Sequence, residues 1–407
     1  MDIRKYIGSL LTTHGSKIEE WLLAQQRQSI PFFYTSVDIR HAGFKIAPVD
    51  TNLFPAGFNI LSLEARKIAV EQAKQYVQTY YPNAKTILII GENHTRNRYY
   101  LENLFVLSGL LQQAGYRVQL TAPGINEEMP LETAEGSTIL FSPLSRQDDQ
   151  LVVNGLVADL ILLNNDMTGG TPEIVSGIRQ PILPDPSLGW YKRRKTTHFD
   201  AYNDVVRLFG AEFGIDHWLL STYTHKCGKI NFRERNGLEC VAMGVERTIA
   251  RIARKYEEYG VKETPYVFIK SNYGTYGMGI MTARNAEDVL SINKKARHSM
   301  DVIKQGVSNA EVIIQEGVPT ADRINGQVAE SLIYMVGGAP VGCNYRLNEH
   351  RDAYSNLNSP GMTFGHACEG DKEAPDALHG GCPVLGLIAK LAHLAAVREC
   401  YDYAYAI

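Results

Sequence analysis

Tyr266-Val-Phe-Ile-Lys270-Ser-Asn-Tyr-Gly274-Thr-Tyr-Gly277-Met-Gly279-Ile-Met281 is the stretch on which the reading of this chain turns. Pro265 precedes a short apolar run, Tyr266 to Ile269, that favours a strand. Lys270 closes the run, and Ile280 and Met281 resume it beyond three spaced glycines. The pattern predicts strand, glycine-rich turn, strand. With no Cβ in the way, Gly274, Gly277 and Gly279 let backbone N–H groups approach an anion. A lysine at the strand end reaches the same anion as a point charge. Read functionally, 271–279 is a loop covering nucleotide phosphates. Read plainly, it is a glycine-rich hairpin, and the glycines alone favour the hairpin. Neither a Walker motif nor the helix-opening Gly-x-Gly-x-x-Gly of dinucleotide sites is present.

Composition sets the frame. A chain of 407 residues suffices for two or three domains with real cores. A formal net charge of −3 offers no general surface for nucleic acid or membrane. No apolar run approaches a bilayer span, and the N-terminus lacks a secretory pattern, so a cytoplasmic protein is expected. The six cysteines (Cys227, Cys240, Cys343, Cys368, Cys382, Cys400) include no Cys-x-x-Cys pair. That argues against a zinc site and against a disulfide framework.

Working outward, the N-terminal part reads as a helix to Gln28, a strand from Pro31 to Ile39, and the segment Phe44–Phe58 containing Asp50-Thr51-Asn52. Residues i and i+2 of a strand share a face. A carboxylate and an amide oxygen placed so are hard ligands suited to Mg²⁺. A solvent-facing turn shaped by Asp and Asn is the plainer alternative. A helix over 61–81, a strand Lys85–Gly91, a helix to Ala114 and a strand near Arg117–Leu120 make a βαβ unit. The loop after its first strand, Glu92-Asn-His94-Thr-Arg96-Asn-Arg98, lies where open α/β sheets bind ligands. Glu92, His94 and Arg96 are thus candidates to grip an amino acid, against a capped helix start with solvated charges. Asn164–Gly170 is a second polar loop at a strand end.

Further along, Lys192 to Lys195 are four consecutive basic residues, which read as a solvated patch, with a lid or phosphate contact as the sharper alternative. His225 to Lys229 reads as a polar loop whose lysines reach phosphates in the sharper reading. Helices are expected over 199–213, 236–259, 286–297 and 384–401. Val312 to Pro319 predicts a strand ending in a hinge at Gln315-Glu316, whose backbone would receive an adenine. Val328–Val336 and Ala339–Leu347 form a hairpin about Gly337-Gly338, with Glu330 and Arg346 on its arms. Asn356-x-Asn358 is a competing metal pair that lacks the carboxylate.

The order Lys270, glycine loop, Gln315-Glu316 hinge, then Glu330 and Arg346 on a hairpin resembles the ATP-grasp ligases, across Lys226 to Gly365. In such enzymes the carboxylate-x-Asn metal strand usually comes last. Here its match, Asp50-Thr51-Asn52, stands near the N-terminus, a permuted layout similar to eukaryotic-type glutathione synthetases. The whole chain also resembles the proteobacterial glutamate–cysteine ligases first recognised in acidophilic iron and sulfur oxidisers. Ser36–Arg40, Lys45–Phe58, Gly274–Ile280 and Gln315–Thr320 carry that resemblance.

The resemblance implies an α/β, ATP-grasp-like fold in three parts. Residues 1–60 would lend a metal-binding strand to the grasp, 61–185 would form a Rossmann-like substrate domain, and 186–407 would form the grasp with its lid loop 271–279. It implies ATP-dependent joining of the glutamate γ-carboxylate to the cysteine amine through an acyl phosphate, the first step of glutathione synthesis. Lys270, Gly274, Gly277, Gly279, Gln315, Glu316 and Lys229 would hold ATP. Asp50, Asn52 and Glu330 would hold Mg²⁺. Arg40, Glu92, His94 and Arg96 would bind substrate, and Arg346 and Lys270 would act in catalysis. Partners would be small molecules only, with a homo-oligomer compatible. Such chemistry needs no covalent nucleophile, and the sequence offers no convincing Ser/His/Asp or Cys/His set. The alternatives are another carboxylate–amine ligase, such as glutathione synthetase, and a Rossmann-type NAD(P) dehydrogenase built on Lys85–Gly91. The latter lacks the further glycines after Gly91.

Overall fold

The computed structural model describes residues 2–26, 29–93, 96–274, 277–301, 310–366 and 383–405. Three sheets position the site. The largest is antiparallel, with neighbouring strands Thr363–His366, Ala339–Leu347, Gln327–Val336, Tyr34–His41 and Ile46–Asn52, and the short Arg323–Ile324 pairing at one end. Residues far apart in sequence therefore share one sheet. Tyr34 lies opposite Val336, and Asp38 opposite both Leu332 and Asp50. Alternation sorts the side chains of this sheet. Val37, Ile39, Ile333 and Met335 enter the core beneath it, against the C-terminal helix Pro383–Tyr405. Asp38, Arg40, Asp50, Glu330 and Arg346 face the other way, into a cleft.

A second antiparallel sheet carries the glycine stretch, in the order Thr224–Gly228, Glu311–Glu316, Val267–Ser271, Ile280–Ala283. The helix Leu238–Glu258 covers it through Val241, Val245 and Ile252. The third sheet is parallel: Ile182–Leu183, Leu160–Asn164, Thr86–Gly91, Arg117–Thr121. Its strands read as near-continuous apolar runs because helices such as Leu63–Tyr80 and Arg98–Gln113 bury it. Ser62 and Asn97 cap those helices, accepting from Ala65 N and Tyr100 N.

The strand of Asp50 and Asn52 joins the large sheet with Glu330 and Arg346, while Lys270 stands in the second sheet. Residues 186–407 contribute to both antiparallel sheets, and residues 34–52 complete the larger one. The structure departs from the sequence expectations at definite places. His225–Lys229 is largely a strand, not a loop, because Cys227 pairs with Val312 and turns inward. The helix expected over 286–297 is two, Ala286–Leu290 and Lys294–Asp301, because Asn293 accepts from Ala296 N and starts the second. Short hairpins at Met129–Glu132 with Thr138–Phe141, and at Leu144–Gln147 with Gln150–Val153, carried no strong pattern. No helix among the described residues is long and apolar enough to cross a membrane.

One buried pair joins the two antiparallel sheets. Lys45 Nζ lies 2.6 Å from Glu316 Oε1, with both side chains 0 % exposed. Trp218 Nε1 and Tyr223 N also donate to Glu316, and Lys45 sits over the Trp218 ring. Removing one member strands the other charge in the core. Lys45→Met is expected to cost about 3–5 kcal/mol in urea unfolding, and Lys45→Met with Glu316→Gln to recover most of it. A double variant as unstable as the single one would contradict this.

Candidate active site

A cavity of ≈ 1020 Å³ lies where the three sheets meet. Asp38, Arg40, Asp50, Asn52, Glu330 and Arg346 form its floor. Lys270, Gly274 and Gly277 come from the glycine stretch. Asn97, Tyr100, Asn103 and Asp166 close the side of the parallel sheet. The topology brings these groups together because each stands at a sheet face or strand end turned toward the same gap.

Arg346 and Arg40 flank Glu330. Arg346 Nη1 donates to Glu330 Oε1 at 2.5 Å and to Asp38 Oδ2 at 2.7 Å. Arg40 Nε donates to Glu330 Oε2 at 2.6 Å, and its other nitrogens donate to the carbonyls of Val318 and Ser355. Burial alone would raise the Glu330 carboxyl, but the two guanidiniums hold it below its ordinary value. Asp38 is pushed up, by burial first, against the pull of Arg346. Arg346 belongs to the cavity wall, and its Nε is buried with no acceptor among the described residues.

Asp50 is flanked by lysines. Its Oδ1 accepts from Lys195 Nζ, and also from Thr51 N. Burial opposes its ionisation, yet Lys195, Lys270 and Arg193 hold the carboxyl at about 2. Its side chain is still 41 % exposed to the cleft, so a ligand reaches it. Lys270 Nζ donates to Gln315 Oε1 at 2.8 Å and to Val49 O at 3.1 Å. Burial lowers Lys270 to about 8, with Asp50 opposing that shift. Asn52 Oδ1 accepts from Phe54 N, so it shapes the turn as well as lining the cavity.

The basic run read as a solvated patch is built into this site. Arg193 is 1 % exposed and donates to Thr51 O, between Asp50 and Asn52, while Glu399 of the C-terminal helix holds it from behind. Lys195 N donates to Asn272 O and Thr196 N to Asn272 Oδ1, which straps the run to the glycine stretch. Trp190 packs so closely on Gly274 that a Cβ there would lie 2.3 Å from the indole. Gly277, at φ 79°, is pressed against Asn358 O in the same way. The missed signal was the company of the run: Trp190 two residues before it, and a helix starting within it.

Other sequence candidates sit elsewhere. Lys229 is exposed on a left-handed turn outside the cavity wall. Glu316 points into the core, and the backbone donors of Glu316 and Gly317 are taken by Tyr223 O and Tyr266 O. Gln315 reaches the site only through Lys270 and Thr222. Gly279 lies beside Ser271, outside the wall. Glu92 is buried next to Tyr100, Arg96 is exposed, and neither lines the cavity; His94 lies outside the described residues. Asn356 and Asn358 line it, but Asn356 bonds Asn358 and the carbonyl of Gly277, a dock for the glycine loop.

A cleft lined by lysines, arginines, carboxylates and glycines is compatible with ligase chemistry, and the family the chain matches is one of ligases. More particularly, the chain belongs to the glutamate–cysteine ligase family GshA, whose profile matches residues 9–400. It is similar to a protein of Methylobacillus flagellatus KT assigned as a gamma-glutamylcysteine synthetase. The two share 41 % identity over 99 % of this chain and 97 % of that one, with a TM-score of 0.89. Weaker likenesses are to D-alanyl-alanine synthetase A of Vibrio cholerae, at 12 % identity over 76 % and 81 % of the two chains and a TM-score of 0.35. D-alanine–D-alanine ligase of Helicobacter pylori gives 9 % identity over 77 % and 99 %, with a TM-score of 0.27. Both superpositions are too loose to support an argument. Among curated proteins no match was found.

Proposed function

We propose that this protein joins the γ-carboxylate of L-glutamate to the amine of L-cysteine, converting ATP to ADP through an acyl phosphate. The observation that carries the ATP part is the placement of Lys270 and Lys195 on either side of Asp50, under glycines whose Cβ positions are already occupied. A polyphosphate needs such cations, and the loop allows its backbone close approach.

The residues also fit Mg²⁺. Asp50 is an ionised carboxylate open to the cleft and Asn52 lines the same wall, whereas Glu330 would have to release Arg346 or Arg40 to reach the ion. Hard oxygen donors of this kind suit Mg²⁺, which usually takes one or two carboxylates plus substrate phosphates. When bound, it would neutralise phosphate charge. The chain's own groups do the rest. Lys270 and Lys195 hold the transferring phosphoryl group. Arg346, whose Nε has no protein acceptor, faces the charge that grows on the activated carboxyl. The glycine loop, docked on Asn356–Asn358, keeps water from the activated carboxyl. The test is ADP release over pairs of amino acids. Release with glutamate plus cysteine is the expected result. Release only with γ-glutamylcysteine plus glycine, or none with any pair, would overturn the assignment.

Lys270 gives this reading a pH signature. Its charge is lost as pH rises through about 8 in the free protein. Accordingly, kcat/KM for ATP is expected to fall above that pH, with kcat less affected because bound phosphates hold the proton. A profile flat to about pH 9.5, roughly 1.5 units above that value, would remove Lys270 from the phosphate site.

A further inference from the structure

Cys227 and Cys240 stand thirteen positions apart in sequence, yet their sulfurs lie 3.2 Å apart. Cys227 is on the outer strand Thr224–Gly228, facing inward and 2 % exposed. Cys240 is in the first turn of the helix Leu238–Glu258 that covers the same sheet, and it is exposed. Both are free thiols. The contact is maintained by the core on either side: Leu238, Val241 and Ile230 pack in the same cluster as Cys227. The Cys227 Sγ also donates to the Cys240 carbonyl at 3.4 Å. None of this serves the ligase site, whose chemistry uses no thiol of the protein.

We propose that Cys227 and Cys240 are a reversible thiol–disulfide couple, oxidised by low-molecular-weight disulfides. The first step is attack by the Cys240 thiolate on one sulfur of the solute disulfide. A sulfur–sulfur bond forms at Cys240, the solute bond breaks, and one solute thiol leaves. In the second step Cys227 loses its proton to solvent and attacks Cys240 Sγ, expelling the second solute thiol. The balance is one solute disulfide plus two protein thiols giving one protein disulfide plus two solute thiols. Order follows from access: a solute reaches only the exposed sulfur, and burial pushes the Cys227 thiol up to about 12, so it stays protonated until its neighbour carries a leaving group. The product ties the outer strand to the helix across the turn 229–237. It therefore opposes local opening of this edge of the glycine-loop sheet.

The test is intact mass and non-reducing peptide mapping of the full chain after incubation with oxidised glutathione, reversed with dithiothreitol. The expected result is loss of two hydrogens with a Cys227–Cys240 crosslink, and no lasting adduct at Cys240. Cys227→Ser should instead keep a glutathione adduct at Cys240, and Cys240→Ser should show neither change at these positions. A second measurement needs no variant: the oxidised wild-type protein should melt a few degrees higher than the reduced one. A lasting Cys240 adduct on the wild-type protein, or no reaction at either position, would overturn the proposal. Mapping separates the outcome from reactions at the remaining four cysteines.

Discussion

Replacing Asp50 with Asn is expected to lower kcat by roughly 100-fold or more, about 2.7 kcal/mol on the barrier, with the fold retained. The physical case has two parts. Asp50 is an ionised cleft carboxylate, held at about 2 against its burial by Lys195, Lys270 and Arg193. It also accepts from Lys195 Nζ, and so sets where that ammonium stands. Asn keeps the shape and the turn but gives up the charge. Without it a divalent cation loses its anionic ligand and the two lysines lose the charge that separates them. A modest loss of stability is expected as well, because Lys195, only 7 % exposed, keeps an amide acceptor but loses its carboxylate partner. Turnover and thermal melting measured together check this, with Mn²⁺ in place of Mg²⁺ as a further arm. Partial recovery in Mn²⁺ would point to the metal role. Full activity of Asp50→Asn in Mg²⁺ would return the Asp50–Asn52 segment to the status of a surface turn.

The floor of this site was more legible in the sequence than its walls, for a reason of periodicity. Asp50 and Asn52 lie on one strand and Glu330 and Arg346 on a hairpin, and alternation fixes which side chains share a face. Alternation paired Asp50 with Asn52, but it was the resemblance to the ATP-grasp ligases that brought these separate motifs to one gap before the sheet order was known. Sheet order itself is a long-range fact. Nothing local says that Tyr34–His41 lies between Gln327–Val336 and Ile46–Asn52, and so the pairing of Arg346 with Asp38 was invisible. The same limit hid the surroundings of Arg40, expected to bind substrate: it lines the cavity with Nε on Glu330 and two further donors on the carbonyls of Val318 and Ser355.

Burial of charge was the other blind spot. Four basic residues in a row ordinarily stay in water, because an unpaired buried charge is costly. Here the partners arrive from distant segments: Glu399 and Thr51 O for Arg193, Asp50 for Lys195. His198 joins the same cluster through Glu399. Glu316 shows the converse. Its place at a strand end suggested a hinge facing nucleotide, but strand alternation turns it inward, while Gln315 on the opposite face meets Lys270. Cys227 and Cys240 belong to the same class of fact, since the fold closes a distance that no cysteine spacing announces.

Arg346→Lys should separate catalysis from architecture. Arg346 Nη1 bridges Asp38 and Glu330, and truncation to Ala would leave Asp38 without its guanidinium and Glu330 with Arg40 alone. That loss is expected to cost about 3–5 kcal/mol in unfolding and would confound any activity measurement. Lysine keeps a positive charge and enough donors for both carboxylates. What it cannot supply is the second donor position, the Nε now buried without an acceptor. If that donor meets charge formed only as the glutamate carboxyl is activated, its loss should lower kcat and kcat/KM together. Removing one such preorganised donor typically costs about 10²–10³ in kcat. The expected result for Arg346→Lys is therefore a fall of that order, with near-normal melting and a nearly unchanged KM for glutamate. A raised KM with normal kcat would make Arg346 a ground-state binder of the substrate. Normal values of both would reduce it to the strut between Asp38 and Glu330, and the activated carboxyl would then have to be met by Lys195 or Lys270 alone.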